Sequence, residues 1–600
     1  MGNSTGREST VDESPVWNRT WAIAACGAIA VPTLIAYNLP PSVTFFNQAA
    51  SVFGWGVWLA ALVLALPRSA LSMTDGLGAL LWALCLVLLA DLATPLWTGQ
   101  PWALSLSAAG LIVAAGLVTV VASSLARAGI ALPAFRAMCL ALVLAGVASS
   151  LIGIVQVAAP QWADGDWIAR SATLGRAVGN LRQPNHLCSL LLWGMVALVW
   201  LSEVRVVHRL VGLALALLMM LAMVLSASRS GLVGAALLAL WGLLDRRLSA
   251  RARVALLLAP VGYAALWHGA AAWAQHAHQV FGGAARFNAA GDISSSRFGI
   301  WSNTLALIKA NPWFGVGFGE FNFAWTLTPF PGRPVAFFDH THNLPLQFAV
   351  ELGVPLATLV LALLAWSLWR AWQPGRQADP GRALMARAAW MMVLMVLVHS
   401  MLEYPLWYAY FLLPAAFALG LCLGLQGAAA PADNTSPART VRAEARLQTR
   451  PLLIGAMLMV AGAMLALGDY LRVVAIFAPA EQAAPLEQRI ADGQRSWLFS
   501  HHGDYAAVTT LVDPLLAQQG WAGAPHYLLD ARLMTAWAKA LDAAGDVQRA
   551  RHVAQRLKEF RNAQAEEFFA PCAIDPAGAV EARPFQCLAP EVALGYRDFR

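Results

Sequence analysis

Arg209-Leu-Val-Gly-Leu-Ala-Leu-Ala-Leu-Leu-Met-Met-Leu-Ala-Met-Val-Leu225-Ser-Ala-Ser-Arg229-Ser-Gly231 decides the fold class of this chain. From Leu210 to Leu225 no side chain is charged or polar, and beyond Ser226-Ala-Ser228-Arg229 a second apolar run occupies 230–244. Apolar stretches approaching about twenty residues are long enough to cross the hydrocarbon of a bilayer as helices. An Arg caught between two of them must find an anion, a carbonyl or the aqueous face. The plain alternative is an Arg that snorkels to the surface.

The pattern recurs along 600 residues, 59% apolar and 12% charged. Helices are expected near 20–37, 50–67, 75–93, 105–124, 136–158, 186–202, 209–226, 230–244, 253–272, 344–366, 388–403, 408–426 and 451–472. The prediction is an all-α polytopic membrane protein of about thirteen transmembrane helices. With a cytoplasmic N-terminus, alternate connections carry Arg68; Arg127; Arg205 and Arg209; Arg246, Arg247 and Arg251; Arg370, Arg376, Arg382 and Arg387; and Arg439, Arg442, Arg446 and Arg450, whereas 38–49 and 94–104 carry none. That asymmetry places the other loops, and the C-terminal segment, outside the cytoplasm. The net charge of +7 thus speaks of topology, not of nucleic acid. The first apolar run, preceded by a polar stretch, is expected to be a signal anchor.

Five regions follow: a cytoplasmic N-terminus 1–18, a transmembrane block 19–271, a large exported loop 272–343, a second transmembrane block 344–472, and an exported helical domain 473–600. The loop holds turn chemistry at Gly282-Gly283, Gly291-Asp292, Ser294 to Ser296 and Pro329 to Pro334, around a helix expected over 296–310. The segment 427–450 is expected to be a disordered linker. In the last domain, 527–544 and 547–560 form two amphipathic helices about Gly545-Asp546, either a tetratricopeptide-like unit or a plain helical hairpin. Cys26, Cys85, Cys139, Cys188 and Cys422 are expected to pack as small apolar residues, and Cys572 with Cys587 to form a disulfide.

Four polar clusters fall on the exported side. Arg176-Ala-Val-Gly-Asn180-Leu-Arg182-Gln183-Pro184-Asn185-His186 ends where the sixth helix begins, and is either functional or a helix-capping turn. The second is Ser226 to Gly231 with Arg229. The third is Ser295-Ser296-Arg297-Phe298-Gly299-Ile300-Trp301, whose alternative is an ordinary interfacial helix. The fourth is Asp339-His340-Thr341-His342-Asn343; no Cys or carboxylate with metal-site spacing accompanies the two histidines, so proton transfer is preferred to a metal or a packing role. His501-His502 is expected in a solvated loop. Gly315-Val-Gly317-Phe-Gly319 is expected to be a tight turn, since no strand precedes it as a nucleotide-binding loop requires.

Fixed guanidinium groups, an imidazole and no metal or nucleotide site suit a donor with a lipid tail and a diphosphate: paired hydrogen bonds hold the phosphates, and the imidazole takes a proton from an acceptor hydroxyl. The contexts of Arg229, Arg297 and His342-Asn343, with Gly353 following, resemble the O-antigen ligase and O-oligosaccharyltransferase superfamily. Asn38-Leu-Pro-Pro-Ser-Val-Thr-Phe-Phe-Asn47, Gln183-Pro-Asn-His186 and His399-Ser-Met-Leu-Glu403-Tyr-Pro-Leu-Trp-Tyr408 resemble the PglL-type bacterial protein O-oligosaccharyltransferases. Leu356 departs from the small or hydroxylated residue of the superfamily pattern.

The resemblance implies en bloc transfer of a preassembled glycan from undecaprenyl diphosphate to Ser or Thr of an exported protein such as a pilin, at the bacterial inner membrane, with a periplasmic active site and no cofactor. It implies His342 as catalytic residue and Arg229 and Arg297 as diphosphate ligands, with Arg176 or Arg182 assisting. Asn343, His340, His399, Glu403, Gln183, Asn185 and His186 are supporting residues. An O-antigen ligase acting on lipid A-core, a polymerase of glycan repeats, and a transporter of an anionic solute remain as rivals; the last lacks matched Gly/Pro-broken helices in two halves.

Overall fold

The computed structural model describes residues 15–67, 73–283, 293–373, 379–426, 441–510, 514–573 and 583–600. Arg68, Arg376, Arg439, Gly291-Asp292 and most of the N-terminal segment 1–18 lie outside the described residues. Among the described residues all regular structure is helical and no strand occurs.

Among the described residues eight helices are long and apolar enough to cross a membrane, and the bent pair Ala250–Leu257 and Ala259–His276 makes nine. The bend, 44°, falls just before Pro260, whose ring cannot accept a straight helical neighbour. Four further apolar helices, Arg19–Leu34, Arg209–Leu225, Arg229–Leu244 and Ala409–Gly424, are shorter. This is a multi-pass membrane protein. Its helices pack closely through small residues: a Cβ at Gly420 would lie 2.5 Å from the Thr119 carbonyl oxygen, and one at Gly424 would lie 2.2 Å from that of Ser123. Such backbone approach is how membrane helices gain contact where no hydrophobic drive exists between them.

The helix expected over 344–366 is instead two, Leu344–Leu352 and Val354–Trp372. Gly353 breaks it at φ 78°. Residues 312–317 wrap the break: Val354 N–H donates to the Pro312 carbonyl at 2.8 Å, Val316 N–H to Val350 at 2.8 Å, and Gly317 N–H to Glu351 at 3.1 Å. The glycines of 315–319 do form the predicted turn, all three at positive φ. Leu356, the departure from the superfamily pattern, packs with Ala83, Val87 and Val360.

The helix expected over 296–310 spans Ile293–Ala310. The loop before residue 343 and the C-terminal domain, separate in the sequence reading, share one core: Ile300, Leu307, Phe321, Trp325 and Leu327 pack with Leu529, Met534, Val553, Leu557 and Phe560. Arg333 is fully buried at its centre, 2.9 Å from Glu559 and 4.6 Å from the ring of Phe560. A buried guanidinium is tolerable only with such partners.

In the C-terminal domain the helical hairpin is Ala531–Ala543 and Val547–Glu559. Its first helix starts four residues later than expected because Asp530 accepts a hydrogen bond from Leu533 N–H at 2.8 Å and caps it. His501 and His502, expected in a solvated loop, are buried in the helix Ser500–Thr510 against Tyr527. The linker reading of 427–450 fails in its second half, where Val441 opens the helix Val441–Phe477; Ala, Glu, Arg, Leu and Gln there are good helix formers. Residues 427–440 lie outside the described residues. Cys572 and Cys587 are disulfide-bonded as expected, and the other five cysteines are free thiols.

Gly353 has no room for a side chain: an added Cβ would lie 2.3 Å from the Trp313 carbonyl oxygen. Gly353→Ala is expected to destabilise the fold by about 1–3 kcal/mol through backbone strain alone, measured as a lowered melting temperature of the detergent-solubilised protein.

Candidate functional site

The site assembles around the turn that follows the helix Pro380–Ser400. There Glu403 N–H donates back to the His399 carbonyl at 2.9 Å, which turns a carboxylate inward instead of letting the helix run on. Glu403 is 8% exposed. Its Oε1 accepts from Arg297 at 2.7 Å and from Asn185 at 3.0 Å, and its Oε2 lies 3.1 Å from Nδ1 of His342. Burial opposes the charge on Glu403, but the hydrogen bond and charge of His342, with Arg297 and His340, outweigh it and hold the carboxyl down at about 2.

Each partner is fixed by its own local structure. Gln183 caps the helix Pro184–Glu203 by accepting from His186 N–H at 2.7 Å, so Asn185 sits in the first turn and faces Glu403. Ser228 donates its hydroxyl proton to Asn185 Oδ1 and caps the helix Arg229–Leu244. Arg229 is therefore the first residue of that helix, exposed, where backbone N–H groups and the helix dipole favour an anion. Arg176 donates to the Ser226 carbonyl at 3.0 Å and stands beside the same connection. Arg297 lies within the helix Ile293–Ala310, and one turn on Trp301 donates to the Thr341 carbonyl at 2.9 Å.

His342 holds a positive φ of 55°, which a side chain this large adopts at a cost. Its flanks secure it: Thr341 N–H donates to Gln347 at 2.8 Å, and Asn343 caps the helix Leu344–Leu352 by accepting from Leu346 N–H at 3.1 Å. His340 Nε2 lies 3.0 Å from His342 Nδ1, and its other nitrogen bonds the Asp339 carboxylate.

Other expected residues play framework parts. Arg182 donates to the carbonyls of Val43, at 2.9 Å, and Ala36, at 2.5 Å, and makes no contact with Glu403 among the described interactions. The Asn38 to Asn47 motif closes on itself, Asn38 Nδ2 donating to Asn47 Oδ1 at 2.8 Å. His399 pairs with Ser189 Oγ at 2.7 Å and His186 with the Tyr410 hydroxyl at 3.3 Å, both buried between helices and away from His342. No carboxylate cluster with metal-site spacing was expected beside the histidines, but Glu403 arrives from a distant turn. Ligand atoms of His340, His342 and Glu403 lie within 4.8 Å of one another, a spacing that a metal could bridge. Each is committed to a hydrogen bond or ion pair instead, Glu403 to a guanidinium that repels a cation. Glu403, expected as a supporting residue, contacts His342 and is the hub of the cluster. Sequence reasoning missed Tyr404, whose ring lies 3.4 Å from that of His340.

Three family models match parts of the chain: Protein glycosylation ligase over 177–201, O-Antigen ligase over 214–361, and Virulence factor membrane-bound polymerase, C-terminal, over 387–569. The chain is also similar to a General O-oligosaccharyltransferase of Acinetobacter baylyi, 28% identical over 41% of this chain and 43% of the relative. A ComP-specific O-oligosaccharyltransferase of the same organism is 25% identical over 41% of this chain and 44% of the relative. The matches thus span less than half the length of either relative. The O-antigen ligase match contains Arg229, Arg297 and His342, the glycosylation ligase match contains Asn185, and Glu403 lies in the third. The site is where the three segments meet.

Because the folded-state pKa of Glu403 is depressed, its stabilisation is complete above the unfolded carboxyl value and fades as pH falls toward about 2. Glu403→Gln is therefore expected to flatten the loss of melting temperature between about pH 4.5 and pH 2, followed by intrinsic tryptophan fluorescence.

Proposed function

We propose that this protein is a membrane-embedded O-oligosaccharyltransferase that moves a preassembled glycan from undecaprenyl diphosphate to a Ser or Thr hydroxyl of an exported protein such as a pilin. The observation that carries the reading is one buried carboxylate, Glu403, bonded at once to a guanidinium, Arg297, and an imidazole, His342. His342 Nδ1–H donates to Glu403, which leaves Nε2 as the base for the acceptor hydroxyl. The acceptor oxygen attacks the anomeric carbon as the bond to the diphosphate breaks on the opposite face, with inversion. Arg297 and Arg229, with Arg176 nearby, take up charge on the departing diphosphate. Arg182 and His399 serve the framework in this scheme, as do Gln183, His186 and Asn343.

The nine long and four shorter apolar helices among the described residues are read as thirteen crossings of the bacterial inner membrane, with the site and residues 473–600 in the periplasm. The names of the two relatives, both O-oligosaccharyltransferases and one ComP-specific, support a protein acceptor. The O-antigen ligase and polymerase matches keep two rivals, transfer to lipid A-core and glycan polymerisation, which use the same donor.

Mass spectrometry of periplasmic proteins from cells with and without the gene separates them. A glycan mass on Ser or Thr, present only with the gene, is expected; lipopolysaccharide or glycan ladders changed with every protein unmodified would overturn the reading. His342→Ala is expected to lower transfer by about 10²–10⁴-fold with donor binding retained, as loss of a general base does. Arg297→Ala should instead weaken both donor binding and turnover.

A further inference from the structure

The proposed reaction releases a proton that needs a way out. Once donor and acceptor fill the space before Nε2, His342 has only its Nδ1 side through which to pass a proton on, and its side chain is 12% exposed. Glu403, on that side, is a poor receiver: Arg297 and Asn185 occupy its Oε1, and its carboxyl is held down at about 2. The other neighbour of Nδ1 is His340 Nε2 at 3.0 Å. His340 is itself buried, and its Nδ1 bonds Asp339, a carboxylate whose side chain is 58% exposed. The line Asp339, His340, His342 therefore runs from bulk water to the proposed base.

We infer that His340 is a proton-relay residue, carrying the acceptor's proton from His342 to the exposed carboxylate of Asp339; the inference rests on the glycosyltransferase reading above. The relay requires one pair of tautomers: His342 Nδ1–H shared between Glu403 Oε2, at 3.1 Å, and His340 Nε2, at 3.0 Å, and His340 Nδ1–H directed at Asp339, which leaves His342 Nε2 unprotonated. As the acceptor oxygen bonds the anomeric carbon and the electron pair of the broken bond departs with the diphosphate, the hydroxyl proton passes to His342 Nε2. The Nδ1 proton of His342 moves to His340 Nε2, and the Nδ1 proton of His340 moves to Asp339 and water. After product leaves, water takes the Nε2 proton of His342 and returns one through Asp339. Tyr404, its ring tilted against that of His340 at 3.4 Å, holds the imidazole in line, and burial disfavours a trapped imidazolium at His340.

The test uses the full-length protein in nanodiscs, an undecaprenyl-diphosphate-linked glycan, and an acceptor found by the periplasmic comparison. His340→Gln keeps a hydrogen-bonding side chain but cannot shuttle a proton; His340→Ala leaves space for imidazole added to the buffer. The relay predicts kcat lowered about 10–100-fold in both, unchanged donor KM, and partial restoration by imidazole in His340→Ala only. Wild-type turnover in His340→Gln overturns the relay, as does a loss in His340→Ala that imidazole does not relieve. Wild-type protein that transfers no glycan fails the functional reading itself, which the wild-type control distinguishes.

Discussion

The structure of the site depends on a carboxylate removed from water. A charge as buried as that of Glu403 is strongly unfavourable unless it is met by opposite charge and hydrogen bonds. Here it is met by Arg297, His342 and Asn185 together. Those three residues come from three stretches of chain and have no reason of their own to converge. The carboxylate gives them one: each satisfies part of the same buried charge, so none can leave without exposing the others to an uncompensated ion. Asn185 then extends the network to Ser228, and through it to the start of the helix that bears Arg229.

The backbone around His342 is held in an unfavourable conformation by what surrounds it. Gln347 and Trp301 grip Thr341, and Asn343 caps the following helix. That helix ends at Gly353, where residues 312–317 bind its last carbonyls, and those residues lead into the core shared with the C-terminal domain. Arg333 and Glu559 lock that core at its centre. The segment beyond residue 473 is therefore part of the support of the loop that carries His342. This explains why polar residues on the loop can be placed so closely without regular structure of their own.

A good part of this was legible in advance. The apolar runs coincide with helices because a backbone in hydrocarbon must satisfy its own hydrogen bonds, and only a helix does so within one segment. Arg297 and His342 stood out because ionised groups at a membrane boundary are costly unless used. The misreading of His501 and His502 as solvated residues has a tertiary cause: Tyr527, against which they pack, comes from another helix. The carboxylate that meets His342 likewise comes from a turn far away in sequence.

The sequence alone determined the helical, multi-pass character of the chain and the residue types able to do acid, base and phosphate chemistry, because hydropathy and ionisation belong to single residues and short windows. Only the tertiary structure decided which of those residues share a charge. That choice turns on distances of about 3 Å between groups hundreds of residues apart, set by helix packing at Gly420 and Gly424, the break at Gly353 and the buried Arg333, and no local pattern encodes such a distance.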